Sequence, residues 1–310
     1  MGNNVQILSR PFGRPDDFEK VTQFVQAVAL ASTNSTQHIH AGDIAWRFFR
    51  SAQFDPKAAV QLWEEQENGT VVGLGWYSAA HHGLDMIMLP EMRDCGLDKR
   101  ILRWGDQRFR SIPFKDRGYA QLKVQVLDWD TERMTLLSEA GFRQDMFHYV
   151  WYQHQLEEKI EVPILPDGYE IRKASDLDVA ARAKLHNKAF FSGDVSAESY
   201  SKLMRTDIYQ RSALDFVAVA PNGRLSAFAL GWLDTERKIG IFEPVGTHPK
   251  RRQLGLAKAL LTRTMQEMQA AGMRAAQVYT ESPNQPAQRL YRSVGFELLG
   301  KQFDWLKRPA

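Results

Sequence analysis

The chain has a single cysteine, Cys95, among its 310 residues, so no internal disulfide can form, and one thiol without supporting Cys-His spacing fits a reducing compartment. Nowhere do 18 apolar residues run together, and the N-terminus lacks a charged region followed by an apolar one. A membrane span and a secretory leader are therefore not expected, and the expected location is cytoplasmic. Charge of one sign is also scarce. The 40 basic and 37 acidic residues leave a net charge of +3 and are mixed along the sequence. The densest basic stretch, 103–117, includes Asp106 and Asp116 and reads as a solvated helix face, so neither nucleic acid nor membrane is expected as a partner. His38-Ile-His40 and His81-His82 have no Cys or further His at ligand spacing, which predicts no metal.

What is present is the composition of a globular protein, 44% hydrophobic and 25% charged, with length enough for two ordinary domains. The segment 155–168, with Glu157, Glu158, Lys159, Pro163, Pro166 and Gly168, is polar and proline-containing. On either side the same order of elements is expected. The first pass has strand Val5–Ser9, helix Asp17–Ala31, strands near Ala59–Glu65, Val71–Ser78 and Leu84–Leu89, helix Arg100–Phe109 and strand Leu122–Leu127. The second has strand Tyr169–Arg172, helices Asp176–Phe190 and Ala197–Met204, and strands near Asp215–Ala220, Leu225–Leu233 and Ile239–Thr247. A helix Leu256–Ala271, a strand Ala275–Thr280, a helix after Asn284 and a closing hairpin with Phe303 and Trp305 complete it. Gly141-Phe142 answers Gly295-Phe296 at a shift of about 154 residues, the mark of tandem copies.

The stretch Glu243-Pro-Val-Gly-Thr-His-Pro-Lys-Arg-Arg-Gln-Leu-Gly-Leu-Ala257 reads as a strand entering a glycine-assisted turn that opens a helix. Free amides and the positive dipole end of the helix, Arg251 and Arg252 beside it, and a glycine that permits close backbone approach make such a turn an anion site. A basic, solvated helix start is the plainer alternative. Pro244 cannot donate to a sheet ladder, so a bulge or a lost partner is expected there. About 27 residues beyond the turn, Asn284 reads as an N-cap, Ala287, Leu290 and Tyr291 share a helical face, and Gly295 reads as a C-cap.

The spacing Arg252-x-x-Gly255-x-Ala257 resembles the pyrophosphate motif of the GNAT acyl-CoA-dependent N-acetyltransferase superfamily, and Asn284…Ala287…Leu290-Tyr291…Gly295-Phe296 resembles its second motif. The resemblance covers 169–310 and implies an α/β (α+β) chain of two tandem GNAT-like domains. Each would be a mixed, mostly antiparallel twisted sheet flanked by helices. The division expected is a degenerate copy at 1–156, a linker at 157–168 and a catalytic copy at 169–310. In the first copy Asp98, Asp130 and Leu137 stand where the second has Ala257, Asn284 and Tyr291.

The family likeness further implies acetyl-CoA as co-substrate, without metal, bound by Val245, Gly246, Thr247, Arg252, Gln253, Leu254, Gly255, Leu256, Ala257 and Asn284. Strand alternation sets Glu243 on the face of Val245 and Thr247, where it serves as the base for the amine or, alternatively, pairs structurally with a cation. Tyr291 would protonate the departing thiolate, or else be a core tyrosine. The expected activity is N-acetylation of a small-molecule amine by direct attack in a ternary complex, by a monomer or homodimer. A non-catalytic acyl-CoA sensor is the alternative.

Overall fold

The structure is a computed structural model describing residues 6–32, 39–51, 53–93, 95–118 and 120–308. Val5 and His38 lie outside the described residues. The first half supplies β1 (Ile7–Pro11), α1 (Asp17–Ala31), α2 (Ala41–Phe49), α3 (Pro56–Ala59), β2 (Val60–Glu65), β3 (Val71–Ser78), β4 (Gly83–Met88), α4 (Leu97–Arg110), α5 (Phe114–Arg117), β5 (Leu122–Leu127), α6 (Thr131–Glu139) and β6 (Arg143–Gln155). The second supplies β7 (Glu170–Lys173), α7 (Val179–Phe190), α8 (Ala197–Met204), α9 (Asp207–Ser212), β8 (Ala213–Val219), β9 (Leu225–Asp234), β10 (Ile239–Thr247), α10 (Leu256–Ala270), β11 (Ala275–Glu281), α11 (Gln285–Ser293) and β12 (Glu297–Lys307).

Two compact units result, and neither is one continuous stretch of sequence. The first joins 1–40, 55–149 and 300–310; the second joins 41–54 and 150–299. Both use one plan. In the first, β1 to β4 pair antiparallel in succession and β5 is added parallel to β4. In the second, β7 to β10 pair antiparallel and β11 is added parallel to β10. A parallel neighbour needs a crossover, which α4 and α10 provide. The mixed, mostly antiparallel sheets flanked by helices agree with the expected fold class.

The end of the chain departs from expectation. Glu297–Lys307 is one strand rather than a hairpin, and its residues Gln302–Lys307 pair antiparallel with β5 in the first unit. No glycine-led turn interrupts that run; Gly300 lies inside it. In the second unit, Val150–Gln155 of β6 lies beside β11. The two halves thus exchange their terminal strands. The stretch expected as a linker forms no helix or strand, yet it is anchored. Leu156 and Ile160 are buried, and Gln269 and Gln266 of α10 donate to their carbonyls at 2.9 and 2.7 Å.

Helix α10 places Leu256, Leu260, Leu261, Met265 and Met268 on one stripe, all buried in a cluster with Phe242, Val278 and Phe296. Each such side chain contributes about 1.5–3 kcal/mol by leaving water. On the opposite face of the same sheet, Leu185 and Ala189 of α7 pack against Val217, Val219 and Phe228. The catalytic strand expected from sequence, β10, runs between these two layers.

Candidate functional site

At the middle of β10 the sheet opens. The parallel ladder with β11 pairs Ile239–Phe242 with Ala275–Val278 and stops there. On the other edge, Phe242 opposes Gly231 but Val245 opposes Ala229, so β10 carries one extra residue at Glu243-Pro244. A proline without an N–H accounts for the bulge. Beyond it, Val245, Gly246 and Thr247 keep β9 as partner and diverge from β11.

The bulge corrects one expectation. Phe242 and Val245 come to share the face packed by α10, because their partners Gly231 and Ala229 are two residues apart. Glu243 turns to the other face, where Tyr279 donates to its Oε1 at 2.6 Å and Trp232 Nε1 donates to its carbonyl at 2.8 Å. Simple alternation fails wherever a strand carries an extra residue. The Glu243 carboxylate therefore sits opposite Val245 and Thr247 rather than beside them.

The turn after β10 has the conformation its sequence predicts. Gly255 caps α10 at φ +74° and Gln253 is also left-handed at φ +64°. A Cβ added at Gly255 would meet nothing within 4 Å, so its glycine is required by backbone conformation and leaves open space before the helix. The amides that start α10 have no intrahelical acceptors. Leu254 is partly exposed at 38%, Leu256 is buried and anchors the turn, and Ala257 follows in the first helical turn. Arg252 donates Nη2 to the Ala189 carbonyl at 3.3 Å, and its guanidinium lies 5.8 Å from the centre of the exposed Phe191 ring. His248, half-buried, accepts the Lys250 amide on Nδ1 at 3.2 Å. Gly246 has a packing reason of its own, since a Cβ there would lie 2.5 Å from the Phe228 ring.

Asn284 is the N-cap of α11, its Oδ1 accepting the Ala287 amide at 3.3 Å while Nδ2 donates to Thr280 at 3.1 Å. Tyr291, 6% exposed, lies in the α10-side cluster, its ring 6.0 Å from that of Tyr152. Burial raises the Tyr291 phenol far above its ordinary value, so it stays protonated at physiological pH. Glu243 and Tyr291 thus lie on opposite faces of the sheet.

The corresponding turn in the first unit keeps the backbone but not the charges. Gly96 caps α4 at φ +69°, while Asp98 accepts the Lys99 amide at 2.7 Å. Arg93 is occupied by Asp130, at 2.7 Å to each oxygen, and by Glu132 at 2.9 Å. Leu137, at the position answering Tyr291, is fully buried. His82 accepts or donates at Nδ1 to the Tyr77 hydroxyl at 3.0 Å, a local contact inside β3–β4.

Sequence reasoning missed the residues around Glu243: Tyr279, Trp232, Trp151 and helix α2. The Asp43–Arg47 spacing on α2 was legible as an i,i+4 pair, and the structure forms it at 2.8 Å. Nothing in the sequence assigned α2 to the second unit.

Residues 182–296 match the model of the acetyltransferase (GNAT) family. The mycothiol acetyltransferase of Arthrobacter sp. (strain FB24) is 28% identical over 226 residues, which are 69% of this chain and 66% of that protein. The match thus spans just under two thirds of that relative's length. Among solved structures, a tandem GNAT protein from the clavulanic acid biosynthesis pathway superposes with a TM-score of 0.69 at 16% identity, over 98% of this chain and 100% of that one. A GCN5-related N-acetyltransferase from Sphaerobacter thermophilus gives a TM-score of 0.62 at 19% identity, over 97% and 95%. At those identities the likeness speaks for the fold.

Proposed function

We propose that this chain, which carries an acetyltransferase (GNAT) domain of the tandem type, moves an acetyl group from acetyl-CoA to the amine of a small molecule by direct attack in a ternary complex. The observation that carries this reading is the opening of β10 from β11 beside Glu243, followed at once by the left-handed Gly255 turn. The diphosphate would rest on the amides of Leu254 to Ala257, with Arg252 supplying charge. The pantetheine arm would follow Val245, Gly246 and Thr247 where β10 has left β11.

An alkyl ammonium with a pKa of about 10.4 is unprotonated only about once in 2,500 molecules at neutral pH. Glu243 takes that proton. The amine nitrogen then bonds to the thioester carbonyl carbon, whose oxygen is stabilised by the backbone N–H near Val245. The carbon–sulfur bond breaks, Tyr291, which burial keeps protonated, supplies a proton to the thiolate, and the excess proton left on the former amine nitrogen restores the Tyr291 phenol as the amide forms. No covalent enzyme intermediate is required. On this reading the unit of 41–54 and 150–299 carries the chemistry, and the first unit is a degenerate copy whose turn arginine is already paired.

The test is release of free CoA thiol from acetyl-CoA across a panel of amino sugars, polyamines and amino-acid derivatives, repeated with Glu243→Gln. Release that depends on one amine class and falls about 100-fold or more in the variant supports the proposal. Saturable acetyl-CoA binding without amine-dependent release would identify a sensor in its place.

A further inference from the structure

Where the backbone ladder ends, a side-chain hydrogen bond spans the gap. The register pairs Phe242 with Val278, so Glu243 and Tyr279 are the next residues in step, and there the Tyr279 hydroxyl donates to Glu243 Oε1 at 2.6 Å. Two aromatic anchors hold this pair. The Tyr279 ring stacks on Trp151, centroids 4.7 Å apart and planes 24° from parallel. Trp151 is fully buried and comes from the 150–155 stretch of β6. Trp232 fixes the Glu243 backbone through its carbonyl.

We infer that Tyr279 is a positioning residue for the transfer proposed above: its hydroxyl aims the Glu243 carboxylate across the opening and keeps it ionised, while Trp151 fixes the phenol. The inference rests on the reading of Glu243 as the base. Its chemistry follows from the surroundings. Burial first, then the neighbouring carboxylates of Glu243 and Asp43, push the Tyr279 phenol well above its ordinary value, with Arg47 opposing them weakly. Tyr279 therefore keeps its proton and acts only as a donor. A hydrogen bond given to a carboxylate favours the charged form. The charged groups that face the pair from α2 are Asp43 and Arg47, which bond to each other at 2.8 Å and so largely offset. During turnover the amine's proton goes to Glu243, and the phenol's proton stays where it is.

The experiment uses the full chain and the amine found by thiol release. Tyr279→Phe deletes one oxygen and leaves the Trp151 stack. We expect kcat to fall roughly tenfold, the KM for acetyl-CoA to stay within about twofold, and the acid limb of kcat/KM to move up by about one pH unit. Tyr279→Phe combined with Glu243→Gln should match Glu243→Gln alone, because a residue that acts only through another adds nothing once that other is gone. An unmoved acid limb overturns the inference, as does a double variant slower than Glu243→Gln by the full tenfold. If Tyr279→Phe lacks a cooperative melt, Trp151→Phe serves instead. It keeps the hydroxyl and loosens the stack, and must move the limb the same way by a smaller amount. Should wild-type protein transfer to no amine, the parent proposal fails first. Should wild type transfer in a Glu243-dependent way while Tyr279→Phe behaves as wild type, only the present inference fails.

Discussion

Asp178 accepts hydrogen bonds from both Nη atoms of Arg172, at 2.6 and 2.8 Å, clasping β7 to the N-cap of α7. The first unit repeats the device. Arg10 of β1 reaches Asp17 at the start of α1 at 2.7 and 2.8 Å, and Gly13 and Arg14 donate their amides to the same carboxylate. The clasps lie about 161 residues apart, close to the shift seen in the Gly-Phe repeat.

These clasps predict acid sensitivity. The Arg172 guanidinium, against the effect of burial and with help from Ser175, lowers the Asp178 carboxyl to about 2. For Asp17 burial acts upward, but Arg10 and two amides override it and bring that carboxyl to about 2 as well. A carboxyl depressed on folding gives stability that is complete above the unfolded value and is lost as pH falls through the folded one. Urea midpoints should therefore fall from about pH 4 toward 2 as the clasps are lost, after a gentler decline that begins near pH 6.5, because burial holds the His186 imidazole down to about 4 while the unfolded chain takes up that proton. Asp178→Asn should cost about 1–2 kcal/mol at pH 7, reduced because Arg172 is partly exposed, and should flatten the acid slope.

Gly255 and the proposed acetyl-CoA site are linked by backbone conformation. Gly255→Ala introduces no clash, yet forces an L side chain to φ +74°, at a cost of about 1–2 kcal/mol. We expect acetyl-CoA affinity to drop roughly tenfold by calorimetry. Unchanged affinity would show that the turn is not the diphosphate site.

Tyr291→Phe separates acid from packing. The ring is retained in its cluster, so the melting temperature should hold while kcat falls by about 100-fold. Unaltered thiol release would leave Tyr291 as a core residue.

Asp215 tests a buried network. Burial raises its carboxyl even with Arg182 beside it, and it accepts hydrogen bonds from Tyr200, from Tyr209 at 3.1 Å and from Arg182 Nε at 3.4 Å. Arg182 is fully buried, lies 3.5 Å over the Phe228 ring centre, and among the described residues neither of its Nη atoms has a hydrogen-bond partner. Asp215→Ala removes the carboxylate bonded to this guanidinium, and should destabilise the chain by about 3–5 kcal/mol in urea titration.

How much was legible in the sequence varied with the kind of signal. Helix α10 and strand β10 follow from an apolar stripe, a glycine cap and a proline bulge, all local features. The turn conformation at Gly255 follows for the same reason. The exchange of terminal strands is non-local, so β12 read as a hairpin until its pairing with β5 was visible. The one-residue bulge that Pro244 announced also reversed the face assigned to Glu243, because alternation counts residues and a bulge breaks the count. Tyr279 and Trp151 escaped notice because aromatic residues on strands ordinarily belong to the core, and only their meeting at Glu243 gives them a task.

The central claim is that the open segment of β10 and the Leu254–Ala257 turn hold acetyl-CoA. Isothermal calorimetry of the purified full chain with acetyl-CoA tests it most directly. The account predicts saturable single-site heat that weakens in Gly255→Ala; the absence of any binding heat, or an isotherm indifferent to that substitution, would contradict it.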